Sequence, residues 1–401
     1  MIGGVKFFHK IREQPLILPI YLPSFMGAFC NGLLIPVLPL YIISFDVTYV
    51  VVGLFLASSS IGMLVSDVPA GVILRRWGEK KSMLLGLVFT TLATFALIWA
   101  KNIPQVLILR LIAGFGMALY GISRHTYISD IVGINDRGRV GAFFGGIMRV
   151  GKFTGPAIGG LIATFFGLWA VFVLFTVIYV LIFVIVVSFV AHRDLPALNS
   201  SSHQANLLYE TIITQYRILI TAGVGQIFGQ IVRSGVVTII PLYAAEVLGL
   251  KIAAIGLILS IAAGFELAFV YPAGLIMDRR GRKHAIIPCF LIQAIGLALL
   301  PFTYSFISLL MISSLIGIGN GLGSGTMLTL GSDLAPKYSR AEFLSLWRFI
   351  GDLGHTCGPL AVGMVTTLAT MQIATWIISI AGLSAVLIFK RHVPETLKNS
   401  N

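Results

Sequence analysis

Apolar runs long enough to cross a membrane follow one another along almost the whole of this chain. A helix needs about 20 apolar residues to traverse the hydrocarbon of a bilayer. The sequence divides into twelve such runs: 15–44, 50–74, 82–100, 106–128, 140–166, 168–190, 218–248, 252–277, 285–302, 306–330, 341–369 and 372–389. With 57% hydrophobic and only 11% charged residues, the chain has too little polar surface to cover a soluble core of its size. The expected fold is an all-α membrane protein of twelve transmembrane helices held in a lipid bilayer. Lys6, Lys10 and Arg12 precede the first run, as in a secretory signal, but the run extends to about Phe45 and is read as a retained first helix.

A formal net charge of +13 raises the question of nucleic acid, and the placement of the bases argues against it. Arg75, Arg76, Lys80 and Lys81, then Arg137 and Arg139, then Arg279, Arg280, Arg282 and Lys283, occupy alternate loops. Lys337, Arg340, Lys390 and Arg391 continue the alternation, and the opposite loops hold little beyond Lys101 and Lys251. This asymmetry is expected to put both termini in the cytoplasm, with the chain in a plasma (inner) membrane. Cys30, Cys289 and Cys357 lie inside apolar runs without metal-type spacing, so they are read as packing residues, and no metal or cofactor is expected.

The chain also repeats itself. A constant offset of 203 positions maps Gly71 onto Gly274, Gly78 onto Gly281, Gly114 onto Gly317, Asp130 onto Asp333, Arg137 onto Arg340, Gly151 onto Gly354, Gly155 onto Gly358 and Pro156 onto Pro359, without a gap. Glycine matches alone carry little weight in a chain with 43 glycines, but an offset that also preserves an acid, a base and a proline does. The chain therefore reads as two pseudo-symmetric six-helix halves, 1–191 and 218–401, joined by a polar cytoplasmic linker, 192–217. Parallel repeats of this kind suit a transporter that rocks around a midplane site.

The stretch GLIMDRRGRK, Gly274 to Lys283, resembles the loop signature GxxxDRxGRR of the major facilitator superfamily, apart from its final lysine. GVILRRWGEK, from Gly71, keeps both glycines but has Arg75 where the family has aspartate. RLIAGFG, from Arg110, resembles the family's RxxxG signature, and VPET, Val393 to Thr396, a frequent family ending. GKFTGPAIGG, Gly151 to Gly160, is similar to GxxxGPxxGG, which the family associates with proton-coupled drug antiporters. The resemblance covers nearly the whole chain and implies the major facilitator fold, alternating access and a lean toward export.

Each motif also has a physical reading. Gly274 and Gly281 permit close approach and a tight turn, and Asp278 offers a negative charge to a helix N-terminus. In the family that helix belongs to the other half, so the resemblance makes Gly274, Asp278, Arg279, Arg282, Asp130 and Asp333 inner-gate residues. Arg75 and Asp278 are offset mates, as are Arg139 and Glu342, which suggests two charge-swapped gate contacts, Asp278 with Arg139 and Arg75 with Glu342. Gly151, Gly155, Pro156 and Gly159, echoed by Gly358 and Pro359, are expected to bend and closely pack their helices.

Charges inside the apolar runs need a partner, a wet cavity or a function. Asp67, Arg110, Arg149, Arg233, Glu266, Arg348 and Asp352 all lie in such runs, whereas runs 3, 6, 9 and 12 have uncharged interiors. Glu266, among apolar neighbours in FELAFVYPAG, is the first candidate for proton coupling, with Asp67 and Asp352 behind it. A salt bridge to Arg233 would instead make it structural. Arg348 and Asp352, four apart, can neutralise each other. Asn31, Arg110, Arg149, Gln230, Arg233, Asn320 and Arg348 are candidate cavity residues. Gln226, Phe265 and Trp347 are further candidates to touch cargo. Bases outnumber acids in this inner set, favouring an anionic or zwitterionic organic substrate.

The best reading is a proton-coupled exporter of small organic molecules, acting as a monomer. A proton-coupled importer or facilitator of an organic anion is the alternative, and a membrane sensor or enzyme a more distant one. No catalytic pattern supports enzyme chemistry.

Overall fold

In lipid every backbone polar group must be satisfied within the protein, so runs of apolar residues become helices. The computed structural model describes residues 17–132, 137–191 and 201–397, excluding the side chains of 17, 137–139, 201–208, 337 and 341. These residues hold helices and no strand. The helices are α1 (Leu22–Leu34), α2 (Val37–Ile43), α3 (Tyr49–Ala96), α4 (Ile103–Ile131), α5 (Arg137–Phe166), α6 (Leu168–Phe189), α7 (Ser201–Glu246), α8 (Ile252–Arg280), α9 (Lys283–Leu299), α10 (Phe306–Leu322), α11 (Thr326–Leu334), α12 (Arg340–Leu368) and α13 (Met371–Arg391).

Among the described residues, nine helical stretches are long and apolar enough to cross a membrane. One of them, Tyr49–Trp99, contains two of the runs read from the sequence, 50–74 and 82–100, on either side of Gly78. Gly78 has φ 75°, a left-handed conformation that only glycine adopts without strain, and its offset mate Gly281 has φ 104° at the end of α8. The same turn is thus built twice. α5 and α12 fall outside the nine because Arg149 and Lys152 in one, and Arg348 and Asp352 in the other, interrupt their apolar stretches.

Two predicted runs are broken. The first is interrupted between α1 and α2 at Ile35–Pro36, where proline has no N–H to continue the ladder. The tenth splits into α10 and α11 around Gly323–Gly325, with Gly325 at φ 76°. Of the linker, residues 192–200 lie outside the described residues, and 201–217 are helical as the opening of α7.

The chain forms two compact units, Met1–Val37 with Ile61–Ala197, and Leu38–Ser60 with Leu198–Asn401. In unit 1, α5 packs on α1 along Gly151, Gly155 and Gly159. A Cβ on Gly151 would stand 2.7 Å from the Phe25 carbonyl oxygen, and one on Gly155 2.5 Å from that of Phe29. Only bare backbone fits this seam. In unit 2, α12 packs on α7 in the same way, a Cβ on Gly354 standing 2.6 Å from the Ile227 carbonyl oxygen and one on Gly358 2.8 Å from that of Ile231. The early stretch 38–60 joins unit 2 through defined bonds. The Val50 N–H donates to Thr367 Oγ1 at 2.9 Å, Tyr49 Oη donates to Glu246 Oε2 at 3.2 Å, and Gly53 lies against the backbone at Pro359 and Gly363.

Candidate functional site

Unit 2 carries an open cavity of about 490 Å³ between α7, α11 and α12, a size usual for small organic ligands. Its walls combine Met327, Leu328, Leu344 and Trp347 with a small polar set. α7 supplies Gln226 and Gln230, one helical turn apart, and α12 supplies Arg348, Asp352 and His355 at the i, i+4, i+7 spacing that keeps side chains on one face. Arg348 Nε lies 3.5 Å from Asp352 Oδ2. His355 Nδ1 lies 3.4 Å from Ser60 Oγ.

The walls are fixed from behind. Trp347 is buried and donates its indole N–H to the Met327 carbonyl at 2.9 Å, tying α12 to the start of α11. Gln226 Nε2 donates to the Trp347 carbonyl at 2.8 Å, while its buried Oε1 has no partner among the described residues. Trp347 therefore acts as a strut, with its polar end occupied.

Glu266 and Arg233 belong to a second cluster, around the break between α10 and α11. Glu266 Oε2 accepts from Asn320 Nδ2 at 2.7 Å. Arg233 does not pair with Glu266: it donates to the Gly323 carbonyl at 2.9 Å, lies 5.5 Å from the centre of the Phe290 ring, and approaches Cys289 Sγ at 3.8 Å. At the break the Gly323 carbonyl also accepts from the Thr326 N–H at 3.3 Å and Thr326 Oγ1 at 2.8 Å, and the guanidinium adds a cation at the carbonyl end of α10.

In unit 1, Arg110 and Arg124 are buried on α4. The Arg124 guanidinium lies over Tyr120 and Phe144, 5.2 and 4.8 Å from the ring centres. Asn31 on α1, Asp67 on α3 and Arg149 on α5 are half-buried in the same unit.

The proposed gate residues sit at helix ends. In unit 2, Asp278 is 81% exposed and pairs with Arg282 at 3.5 Å, and Arg282 Nε reaches Asp333 Oδ2 at 2.9 Å. Arg279 is exposed and Glu342 half-buried. Nothing described lies within 4 Å of a Cβ built on Gly274, so the tight turn falls on Gly281. In unit 1, Arg75 and Asp130 are exposed, and the Arg139 side chain lies outside the described residues. Sequence reasoning missed Glu395, whose carboxylate accepts from the N–H groups of Arg282 and Lys283 at 2.8 and 3.0 Å and so caps α9. Burial alone would raise this carboxyl, but the N–H groups of Leu397, Arg282, Lys283 and Thr396 outweigh it and hold it below its ordinary value. The signal lay in the VPET ending. His355 was visible as a titratable residue inside an apolar run, but its spacing alone did not assign it to the cavity.

This arrangement of helices has known counterparts. The chain matches the Major Facilitator Superfamily over residues 20–220 and 222–401. It belongs to that family. Within it, the quinolone resistance protein NorA of Staphylococcus aureus is 24% identical over 96% of this chain and 99% of its own. The multi-drug resistance efflux pump PmrA homolog of Lactococcus lactis is 23% identical over 84% of this chain and 85% of its own. The crystal structure of a D-xylose–proton symporter superposes with a TM-score of 0.76 at 19% identity, covering 95% of this chain and 99% of that one. The protein is thus a multi-pass membrane transporter of the major facilitator fold.

Proposed function

We propose that this protein moves small organic molecules by alternating access, driven by protons, with export as its direction. The observation that carries the cargo assignment is the cavity of unit 2, where apolar walls surround Arg348, Asp352, Gln226 and Gln230. The direction rests on the resistance and efflux names of its relatives and on the antiporter-like GPAIGG motif. Glu266, Asp67 and Asp352 are the acids proposed to carry protons. The bases on alternate loops support the reading of both termini in the cytoplasm, with the chain in an inner membrane.

A second reading is proton-coupled uptake of an organic anion, favoured by the guanidinium of Arg348 at the cavity wall. Proton flux in liposomes separates the two. A lipophilic cation that drives protons the opposite way supports export, and an organic anion that carries protons with it supports uptake. Substrate flux with no proton movement, unchanged in Glu266→Gln and Asp352→Asn, overturns proton coupling in both.

A further inference from the structure

The end of the segment read as a polar linker, 209–217, is inside out for a helix in water. It continues without a break into the membrane run of α7. Its polar Thr211 is fully buried, and Thr214 Oγ1 lies 3.1 Å from Tyr338 Oη in the turn before α12. Tyr209, Ile212, Ile213 and Tyr216, by contrast, are 66, 45, 53 and 49% exposed. Their i, i+3, i+4, i+7 spacing sets all four on one face, turned away from the face on which Thr211 and Ala222 are buried. A helix on a soluble protein buries its apolar stripe and shows its polar one. This stretch does the reverse.

Continuity and length say what covers the stripe. From Tyr209, Ile213 and Tyr216 it runs on along the same side into Ile220 and Val224, which are exposed within the membrane run itself. From Tyr209 to Glu246 the helix has 38 residues, about 57 Å at about 1.5 Å per residue. The hydrocarbon takes up about 30 Å of that, and the whole bilayer with its headgroups about 40–45 Å. Counted back from Glu246, the stretch around Tyr216 therefore reaches the headgroups at the end of the molecule that carries the basic loops. Membrane helices tilt by about 20° on average, which lays an outward stripe at this height onto the bilayer surface. Tyrosine suits that level because its ring is apolar and its hydroxyl is polar. The Tyr216 hydroxyl is met by Arg217 Nε at 3.0 Å, so a phenol and a guanidinium stand together at the polar boundary.

We propose that this first part of α7 is a lipid-docking surface: Ile212 and Ile213 seat in the phospholipid layer, and Tyr209 and Tyr216 hold their hydroxyls among the headgroups. The connection between the halves is then fixed to the bilayer at its second end. Through Thr214 and Tyr338 the lipid layer also steadies the turn that leads into α12, the helix that carries Arg348 and Asp352 to the cavity.

The test is power-saturation EPR on the full chain in nanodiscs of phosphatidylcholine and phosphatidylglycerol. Single nitroxide labels are placed at Ile213→Cys, Tyr216→Cys, Ile220→Cys and Lys251→Cys, after Cys357→Ser removes the exposed thiol; Cys30 and Cys289 are buried. Collisions with oxygen, which concentrates in lipid, are compared with collisions with a nickel chelate, which stays in water. The oxygen-to-nickel ratio at Ile213 and Tyr216 should approach that at Ile220 and exceed that at Lys251 severalfold. Adding a lipid with a nickel-chelating headgroup should then relax the labels at both sites. A ratio at Ile213 and Tyr216 equal to that at Lys251 puts water on the stripe and overturns the proposal. Labels closed to both reagents overturn it as well, because protein, such as a second copy of this chain, then covers the face. Tyr209→Cys and Ile212→Cys give the same reading from the same face if a label at Ile213 or Tyr216 disturbs the helix.

Discussion

Each half of the molecule sets a guanidinium between its first and fourth helices, but opposite helices supply it. In unit 1 it comes from α4 as Arg124, and in unit 2 from α7 as Arg233. The offset of 203 makes the contrast residue by residue: Arg233 stands where unit 1 has Cys30, and Met327 stands where unit 1 has Arg124. The partners change with the source. Tyr120 puts a ring face under Arg124, whereas its mate Gly323 has no side chain and offers Arg233 a carbonyl instead. Each bundle thus holds a cation that its repeat mate lacks, set over the rings of Tyr120 and Phe144 in unit 1 and against the Gly323 carbonyl and the Phe290 ring in unit 2.

The seams flanking these cations should prove equivalent, and the largest expected effect tests that. Gly155→Leu in unit 1 and its mate Gly358→Leu in unit 2 each force a side chain into backbone, with an expected loss of about 3 kcal/mol or more, measured as thermal unfolding in detergent. Loss in one half only would break the symmetry. Next, Arg233→Ala strips the Gly323 carbonyl of a charge-assisted partner and should cost about 2–3 kcal/mol. Arg124→Ala, which loses two ring contacts and a long hydrogen bond to Ser24 Oγ at 3.4 Å, should cost about 1–2 kcal/mol. Equal losses would argue against different partner chemistry.

A smaller effect concerns the cytoplasmic end of unit 2. Glu395→Gln weakens the cap on α9 and should cost about 1 kcal/mol, read from thermal unfolding or faster amide exchange at Arg282 and Lys283. The native carboxyl is held below its ordinary value. The stability it contributes is therefore present above the unfolded value and fades as pH falls through the depressed native one. Protection at Arg282 and Lys283 should accordingly persist at neutral pH and fall only in acid.

Much of the fold was legible because apolar length and the offset act over many residues at once. Gly78 and Gly281 were marked by the repeat, and the left-handed turn explains why glycine stands at both. The second cluster was harder to read. Arg233 bonds a main-chain carbonyl that becomes available only because α10 stops, and one letter of sequence cannot announce a partner every residue possesses. The run GIGNGLGSG divides its roles: Gly317 and Gly321 pack against Ala262 and Glu266, while Gly323 and Gly325 interrupt the helix. The Asn320 contact to Glu266 links residues 54 positions apart. It depends on how α8 and α10 rotate against each other, which their apolar composition leaves unspecified.

The cap on α9 also has a consequence for synthesis. Its carboxylate lies 112 positions downstream of the Lys283 N–H it receives, so α9 to α13 must emerge from the ribosome before that helix start is completed. Until then the turn at Gly281 stays accessible to chaperones and proteases at the membrane surface, and a ribosome that stalls short of Glu395 leaves a recognisably unfinished product.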